Sequence, residues 1–153
     1  MNRGDKLPEL SLPDEAGRRR TLADLAGERG LVLYAYPKDD TPGCTVEAQD
    51  FRDRLDELRA KGFAVAGISR DSAASHCSFR DKHELTFPLL TDEDASFLEQ
   101  IGAYGDKTNY GRTTKGIIRS TVVVAPDGTV LKYYPNVRAK GHAERVAADL
   151  DAL

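Results

Sequence analysis

Residues 31–58 read LVLYAYPKDDTPGCTVEAQDFRDRLDEL, and this stretch decides the fold. It begins with Leu31 to Tyr36, a continuous apolar and β-prone run that is typical of a strand buried on both faces. A loop rich in proline and charge follows, and apolar residues then recur at helical spacing. These residues are Cys44, Ala48, Phe51, Leu55 and Leu58. The stretch therefore predicts a buried strand, a loop and an amphipathic helix whose polar face carries Glu47.

The same alternation continues after Gly62, which ends the helix. The pattern predicts a buried strand, a helix capped by Asp71 or Ser72, a short strand and another helix, over residues 63–68, 72–84, 87–90 and 92–101. Residues 102–116 are rich in Gly, Lys, Thr and Asn and indicate a mobile loop. The remaining chain predicts a hairpin and a closing helix, over residues 117–125, 129–134 and 140–153.

Strand–helix–strand alternation implies parallel strands joined by right-handed crossovers. With the later hairpin, we expect an α/β fold with a mixed central sheet and helices on both faces. Residues 11–21 predict an N-terminal hairpin that turns at Pro13 to Gly17. The chain of 153 residues has no repeat or linker, so we expect a single domain over residues 1–153. Ligands tend to bind at the carboxyl ends of such strands, where the loop after Tyr36 lies.

Composition excludes several classes of function. Lysine and arginine number 22 against 25 aspartates and glutamates, and a net charge of −3 argues against nucleic acid as a partner. The longest apolar run is far shorter than the roughly 20 residues that span a bilayer, and the first residues lack a signal-peptide pattern. Two cysteines in a chain of this kind indicate a reducing, cytoplasmic setting, in which a cysteine is catalytic, redox-active or inert.

The position of Cys44 favours nucleophilic chemistry. Thr41 suits the N-cap and Pro42 the first helical position, which places Cys44 in the first turn. Unpaired backbone N–H groups and the helix dipole favour a thiolate there. Gly43 leaves room for a small molecule to approach. The alternative is that Cys44 is a small core residue, but the strand–loop–helix context favours the nucleophile.

The segment YPKDDTPGCTVEAQDFRD, from Tyr36 to Asp53, resembles the peroxiredoxins, in particular the bacterioferritin comigratory protein or peroxiredoxin Q group. It contains the family pattern of Pro37, Thr41 and Cys44. Further matches are GISRDSAASH, TFPLLTDED and IRSTVVVAPDGTV, which begin at residues 67, 86 and 118. The resemblance implies a thioredoxin-like fold and thiol-dependent reduction of peroxides without metal or organic cofactor. The histidines, at positions 76, 83 and 142, have no metal-ligand spacing and are expected to be surface or packing residues.

In the implied reaction, Cys44 attacks a peroxide, releases water or an alcohol, and becomes a sulfenic acid. The Thr41 hydroxyl and the backbone N–H groups of Gly43 and Cys44 would position the peroxide, while Pro37 would fix the loop and shield the site.

Two charged residues complete the site that the resemblance implies. Arg119 corresponds to the family's active-site arginine, which would stabilise the thiolate and donate to the peroxide. Glu47 corresponds to the acid that orients it. The alternatives are a strand-end arginine that reaches solvent and a solvated helix glutamate.

The chain departs from the family in its second thiol. The usual position of the resolving cysteine holds Gln49, and a second position used by some members holds Arg80. The other thiol is Cys77, about 200° around its helix from Phe79, so we expect it to face outward. Cys77 is either the resolving cysteine or an incidental surface thiol.

If Cys77 resolves the sulfenic acid, the first turn around Cys44 must unwind, because a disulfide needs Cα atoms within about 7 Å. A dithiol such as thioredoxin would then reduce the bond. If Cys77 is inert, an external thiol must resolve the sulfenic acid, and the protein would work as a one-cysteine enzyme. Thiol–disulfide exchange, which usually uses Cys-x-x-Cys, and a redox sensor are the competing functions. We expect a monomer, since the group is often monomeric and no exposed apolar stripe demands a partner.

Overall fold

The computed structural model describes the backbone of residues 1–153 and every side chain except that of residue 109. The strands are, in chain order, β1 (Ser11–Pro13), β2 (Arg19–Thr21), β3 (Gly30–Ala35), β4 (Phe63–Ser69), β5 (Leu89–Thr91), β6 (Tyr104–Asn109), β7 (Arg112–Ile117), β8 (Ser120–Val124) and β9 (Val130–Tyr134). The helices are α1 (Leu22–Leu25), α2 (Pro42–Asp53), α3 (Leu55–Ala60), α4 (Ala73–His83), α5 (Ser96–Gln100) and α6 (His142–Asp149), followed by a 3₁₀ turn at Leu150–Ala152. In the described part of the chain, no helix combines the length and apolarity needed to cross a membrane.

The central sheet has the strand order β5-β4-β3-β8-β9. Strands β3, β4 and β5 are parallel, and β8 is antiparallel to both β3 and β9. Val32 at the middle of β3 pairs with Val65 on one side and Val123 on the other. The predicted mixed sheet is confirmed. Its parallel half follows from the helical crossovers, and its antiparallel half follows from the hairpin after residue 117.

Alternating residues of β3 serve two cores, because successive side chains of a strand point to opposite faces. Val32 and Tyr34 pack with α2, α3, α4 and α6, whereas Leu31 and Leu33 pack with α1, α5 and with Val122 and Val124 of β8. All of β3 is buried. Burial of each large apolar side chain stabilises the fold by about 1.5–3 kcal/mol, so β3 is a rigid base for the loop that follows it.

The predicted helix after Cys44 is divided. Arg54, at φ −101° and ψ 4°, separates α2 from α3. Leu55 and Leu58 nevertheless remain in the same core as Phe51. The apolar period therefore identified the buried face correctly but did not reveal the interruption between the two helices.

The prediction of a mobile loop over residues 102–116 is wrong. Strands β6 and β7 form an antiparallel hairpin there, with Lys107 opposite Thr114. Tyr110 and Gly111 both have positive φ, at 53° and 77°, as a two-residue hairpin turn requires. Strands β6 and β7 lie largely outside the two cores, so their residues are mostly polar. The sequence therefore lacked the apolar pattern by which a strand is predicted. The strand predicted to start at residue 117 is also interrupted, since β7 ends at Ile117 and β8 begins at Ser120.

Candidate active site

Cys44 lies where α2 leaves the carboxyl end of β3. Thr41 is the N-cap and Pro42 the first helical residue, as predicted. The Thr41 hydroxyl does not cap the helix and instead donates to the Lys38 carbonyl at 2.8 Å. Its hydrogen is thereby engaged, so its lone pairs remain as acceptors. The amides of Gly43 and Cys44 are among the first N–H groups of α2, which have no partner within the helix.

The Cys44 side chain is only 1% exposed, and its sulfur lies against the guanidinium of Arg119. Arg119 donates from Nη2 to the sulfur at 3.2 Å and from Nη1 to Glu47 Oε1 at 2.6 Å. Arg119 lies in the interruption between β7 and β8, and its carbonyl accepts from the amide of Val137 at 2.8 Å. The prediction that Arg119 lies within a strand is therefore wrong. The break frees its side chain to reach the start of α2.

Glu47 is completely buried, although the helical pattern assigned it to the polar face. One carboxylate oxygen holds Arg119, and the other, Oε2, has no hydrogen-bond partner among the described residues. Burial raises the pKa of Glu47 to about 7, against the opposing attraction of Arg119. Burial also raises the pKa of Tyr34, whose hydroxyl likewise has no partner among the described residues. Sequence reasoning missed Tyr34 because it reads as one more apolar strand residue.

The absence of a side chain at Gly43 leaves space for the guanidinium of Arg119. A Cβ atom at residue 43 would lie 3.3 Å from Arg119 Nη2, a distance at which one of the two must shift. The lack of a side chain at Gly43 therefore lets the guanidinium approach the start of α2. Beside it lies a groove of about 480 Å³ whose lining includes Pro37, Lys107, Ile118 and Arg119. Arg119 thus connects the groove with the buried sulfur.

Comparison with known proteins assigns a family to this geometry. The model of the AhpC/TSA family matches residues 3–133. The chain belongs to the AhpC/TSA family. It is 47% identical over 147 residues to a putative peroxiredoxin of Mycobacterium tuberculosis H37Rv, covering 96% of this chain and 93% of that one. It is 40% identical over 146 residues to peroxiredoxin Bcp of Escherichia coli K12, covering 95% and 93%.

Solved structures agree with this assignment. Xylella fastidiosa PrxQ is 38% identical and superposes with a TM-score of 0.91 over 99% of this chain and 96% of that one. Xanthomonas campestris bacterioferritin comigratory protein is 38% identical, with a TM-score of 0.86 over 97% and 98%. This peroxiredoxin therefore has the expected thioredoxin-like fold, and membership in the family makes it a thiol peroxidase of the Bcp/PrxQ group.

The second thiol of this peroxiredoxin lies on α4. Cys77 is exposed while Phe79 is buried, as predicted. The Cys77 thiol donates to the carbonyl of Glu15, in the turn between β1 and β2, at 2.9 Å. The two positions at which the family resemblance leads one to expect a resolving cysteine hold a half-buried Gln49 and an exposed Arg80. Both cysteines are free thiols in this structure.

Two of the three histidines are buried in this peroxiredoxin. His142 lies within hydrogen-bond distance of the Thr121 hydroxyl at 2.8 Å, and burial lowers its pKa to about 4. His76 is fully buried and contacts Asp39 in the loop before Cys44. Sequence reasoning treated His76 as a surface or packing residue and did not single out Asp39. The sequence pattern around Asp39 and His76 contained no signal that these two residues would be in contact.

Proposed function

We propose that this peroxiredoxin reduces hydrogen peroxide and organic hydroperoxides through a sulfenic acid on Cys44. The observation that carries the proposal is the contact between Arg119 Nη2 and the Cys44 sulfur, with the other end of the guanidinium held by Glu47. The thiolate attacks one peroxide oxygen and the O–O bond breaks. The departing oxygen takes a proton and leaves as water or an alcohol, and the sulfur becomes S–OH.

The surrounding groups match the demands of this step. Charge develops on the departing oxygen, and fixed donors that face it lower the barrier. Arg119 and the amides of Gly43 and Cys44 are such donors. The Thr41 oxygen, whose hydrogen is engaged by Lys38, accepts from the peroxide O–H and orients it. Pro37 borders the groove through which the peroxide enters.

We further propose that Cys77 resolves the sulfenic acid. Its thiol attacks the oxidised sulfur, water leaves, and an intramolecular disulfide forms. Because Cys44 is buried in the first turn of α2 while Cys77 faces the N-terminal hairpin, that turn must open. A dithiol reductant such as thioredoxin then restores both thiols in the cytoplasm.

Relatives support the substrate range. The Xanthomonas campestris bacterioferritin comigratory protein is described by its alkyl peroxide reduction activity. That description favours organic hydroperoxides as well as hydrogen peroxide for this chain. The second candidate is a function that uses Cys44 alone. It is either a one-cysteine peroxidase, whose sulfenic acid an external thiol resolves, or a redox sensor. The absence of a cysteine from positions 49 and 80 favours it.

The test treats the reduced chain with one equivalent of hydrogen peroxide and analyses the intact protein and its peptides by mass spectrometry. We expect the loss of two hydrogens and a link between the peptides of Cys44 and Cys77 within one chain. Cys44→Ser is the control and should leave Cys77 reduced. Oxygen added to Cys44 with Cys77 free favours the second candidate, and turnover with thioredoxin then separates the peroxidase from the sensor. Oxidation that proceeds equally well in Cys44→Ser contradicts the whole proposal.

A further inference from the structure

The loop between β3 and α2 is fastened to the protein through the buried side chain of Asp39. Asp39 Oδ1 accepts from the Tyr36 hydroxyl at 2.6 Å. Oδ2 accepts from the Ser75 hydroxyl at 2.8 Å and lies 2.7 Å from His76 Nδ1. The Asp39 amide donates to Asp71 Oδ2 at 2.9 Å. This single residue therefore joins the loop to the end of β3, to the first turns of α4 and to the segment before α4.

The partners of His76 determine where its hydrogens lie. Nε2 is 3.1 Å from the carbonyl oxygen of Leu90, which can only accept, so Nε2 carries a hydrogen and donates it. Nδ1 faces the carboxylate of Asp39, and its distance of 2.7 Å from Oδ2 is that of a hydrogen bond. The pair is excluded from solvent, with exposed side-chain fractions of 0% and 4%. Removal of either side chain would leave a buried polar atom of the other without this hydrogen-bond partner.

The cluster is a hydrogen-bond network rather than a metal cage. Asp39, Asp71 and His76 lie close enough together to suggest ligands. However, both oxygens of Asp39 already accept from hydroxyl groups, and Asp71 Oδ2 accepts from the Ser69 hydroxyl at 2.7 Å. The contact between Asp39 and His76 is itself a hydrogen bond. The network is satisfied by the protein's own donors.

A second, weaker attachment lies at the far end of α4. Asp40, the next residue of the loop, meets Lys82 Nζ at 2.7 Å and His83 Nε2 at 3.1 Å. The Lys82 and Asp40 side chains are 60% and 46% exposed, and exposed ion pairs contribute little. The buried attachment at Asp39 is therefore the one that holds the loop.

We propose that Asp39 and His76 form a positioning pair, a latch that holds the loop and the first turn of α2 against α4 and sets how often Cys44 becomes accessible. The consequence for catalysis rests on the proposed function. In the closed state Cys44 lies beside Arg119 and reacts with peroxide. In the open state its sulfenic acid can reach Cys77. His76 directly precedes Cys77, so the latch holds the loop to the same helix that carries the second thiol.

The latch governs a competition between two fates of the sulfenic acid. In the closed site a second peroxide can oxidise it, whereby the sulfur gains an oxygen to become a sulfinic acid and the peroxide leaves as water or an alcohol. In the open site it condenses with Cys77 and loses water. A weaker latch favours the disulfide over the sulfinic acid.

The direct test measures opening without peroxide. In a Cys77→Ser background, Cys44 is the remaining thiol, and a bulky maleimide can reach it only after local opening. We expect Asp39→Asn and His76→Gln each to raise the alkylation rate about tenfold or more. Ser75→Ala, at the start of α4, removes one donor to Asp39 and should raise the rate about threefold.

Asp92→Asn is the matched control. Asp92 is also buried, at 1% exposed, but its carboxylate accepts from the Leu98 amide at 2.8 Å in α5 rather than from the loop or from α4. It should leave the alkylation rate within about twofold of the background. Unchanged rates in all three latch variants would overturn the proposal, as would an equal rise in Asp92→Asn. If Asp39→Asn does not fold, Ser75→Ala and His76→Gln still decide the outcome. Because neither peroxide nor Cys77 takes part, the result is independent of whether Cys77 resolves.

A second readout separates positioning from general destabilisation. In the chain with both cysteines, cycled with peroxide and thioredoxin, mass spectrometry gives the fraction of Cys44 present as sulfinic acid after a fixed number of turnovers. We expect His76→Gln to lower this fraction about threefold or more, while the second-order rate of Cys44 with peroxide also falls. A variant that lost only stability would slow the reaction without lowering this fraction, and that result would contradict the latch.

Discussion

The two cysteines of this chain occupy contrasting surroundings. Cys44 is buried at the start of α2, and its sulfur accepts a hydrogen bond from a guanidinium at 3.2 Å. Cys77 is exposed on α4, and its thiol donates to the carbonyl of Glu15 at 2.9 Å. The first environment supplies positive charge to a thiolate, whereas the second supplies only an acceptor for the S–H hydrogen. We therefore expect Cys44, rather than the more exposed Cys77, to react with peroxide, because the charge around the sulfur governs its reactivity.

The sharpest test of this comparison removes the charge and keeps the thiol. Arg119→Met retains the length of the side chain but loses the donors to the sulfur. We expect the second-order rate of Cys44 with hydrogen peroxide to fall about 100- to 1000-fold, as for the loss of a transition-state donor. Stopped-flow measurement of thiol loss reports this rate. Arg138→Met changes an exposed arginine and should stay within about twofold. A fall of less than about threefold in Arg119→Met would remove the distinction between the two cysteines.

A smaller effect is expected when the partner of Arg119 is changed. Glu47→Gln keeps the shape of the side chain but loses the charge that holds Nη1. We expect the peroxide rate to fall about tenfold, because the guanidinium is then less firmly oriented towards Cys44. The same stopped-flow assay applies. A rate equal to that of the unchanged chain would mean that Arg119 keeps its orientation without the buried carboxylate.

Glu47→Gln also has a signature in stability. Burial raises the pKa of Glu47 from 4.5 to about 7 in the folded chain, so the folded state binds this proton more tightly than the unfolded state. The contribution of Glu47 to the free energy of unfolding is therefore highest below pH 4.5, falls as the pH rises through about 7, and is constant above it. The fall is on the order of 3 kcal/mol. Urea unfolding of the unchanged protein and of Glu47→Gln at several pH values measures this fall as the difference between their free energies of unfolding. A difference that does not change with pH would contradict the prediction.

The smallest effect is expected at the exposed thiol. Cys77→Ser should leave the rate of Cys44 oxidation within about twofold, because Cys77 contacts a carbonyl of the N-terminal hairpin and not the reacting sulfur. The disulfide should disappear and Cys44 should accumulate as sulfenic acid, which a dimedone adduct would reveal. A fall of about tenfold in the first step would show that Cys77 takes part before resolution, and the two cysteines would then act together.

The sequence predicted the site in part and by two routes. Local chemistry alone placed Cys44 in the first turn of a helix after a buried strand, because capping and apolar period act over a few residues. Arg119 and Glu47 were assigned through the family resemblance, and the structure brings both to the Cys44 side of α2. The helical pattern itself wrongly assigned Glu47 to the polar face. Such a pattern depends only on which residues are apolar, and it cannot show that Arg119, distant in sequence, pairs with the buried carboxylate.

The sequence by itself determined the alternation of strands and helices, the position of Cys44 and the outward direction of Cys77. These follow from backbone periods and from caps within one or two turns. Only the tertiary structure decided the burial of Glu47, the break that frees Arg119, and the latch between Asp39 and His76. These contacts join residues 72, 75 and 37 positions apart. The packing of α2 and α4 against the sheet sets such contacts, and no local pattern encodes how those elements meet.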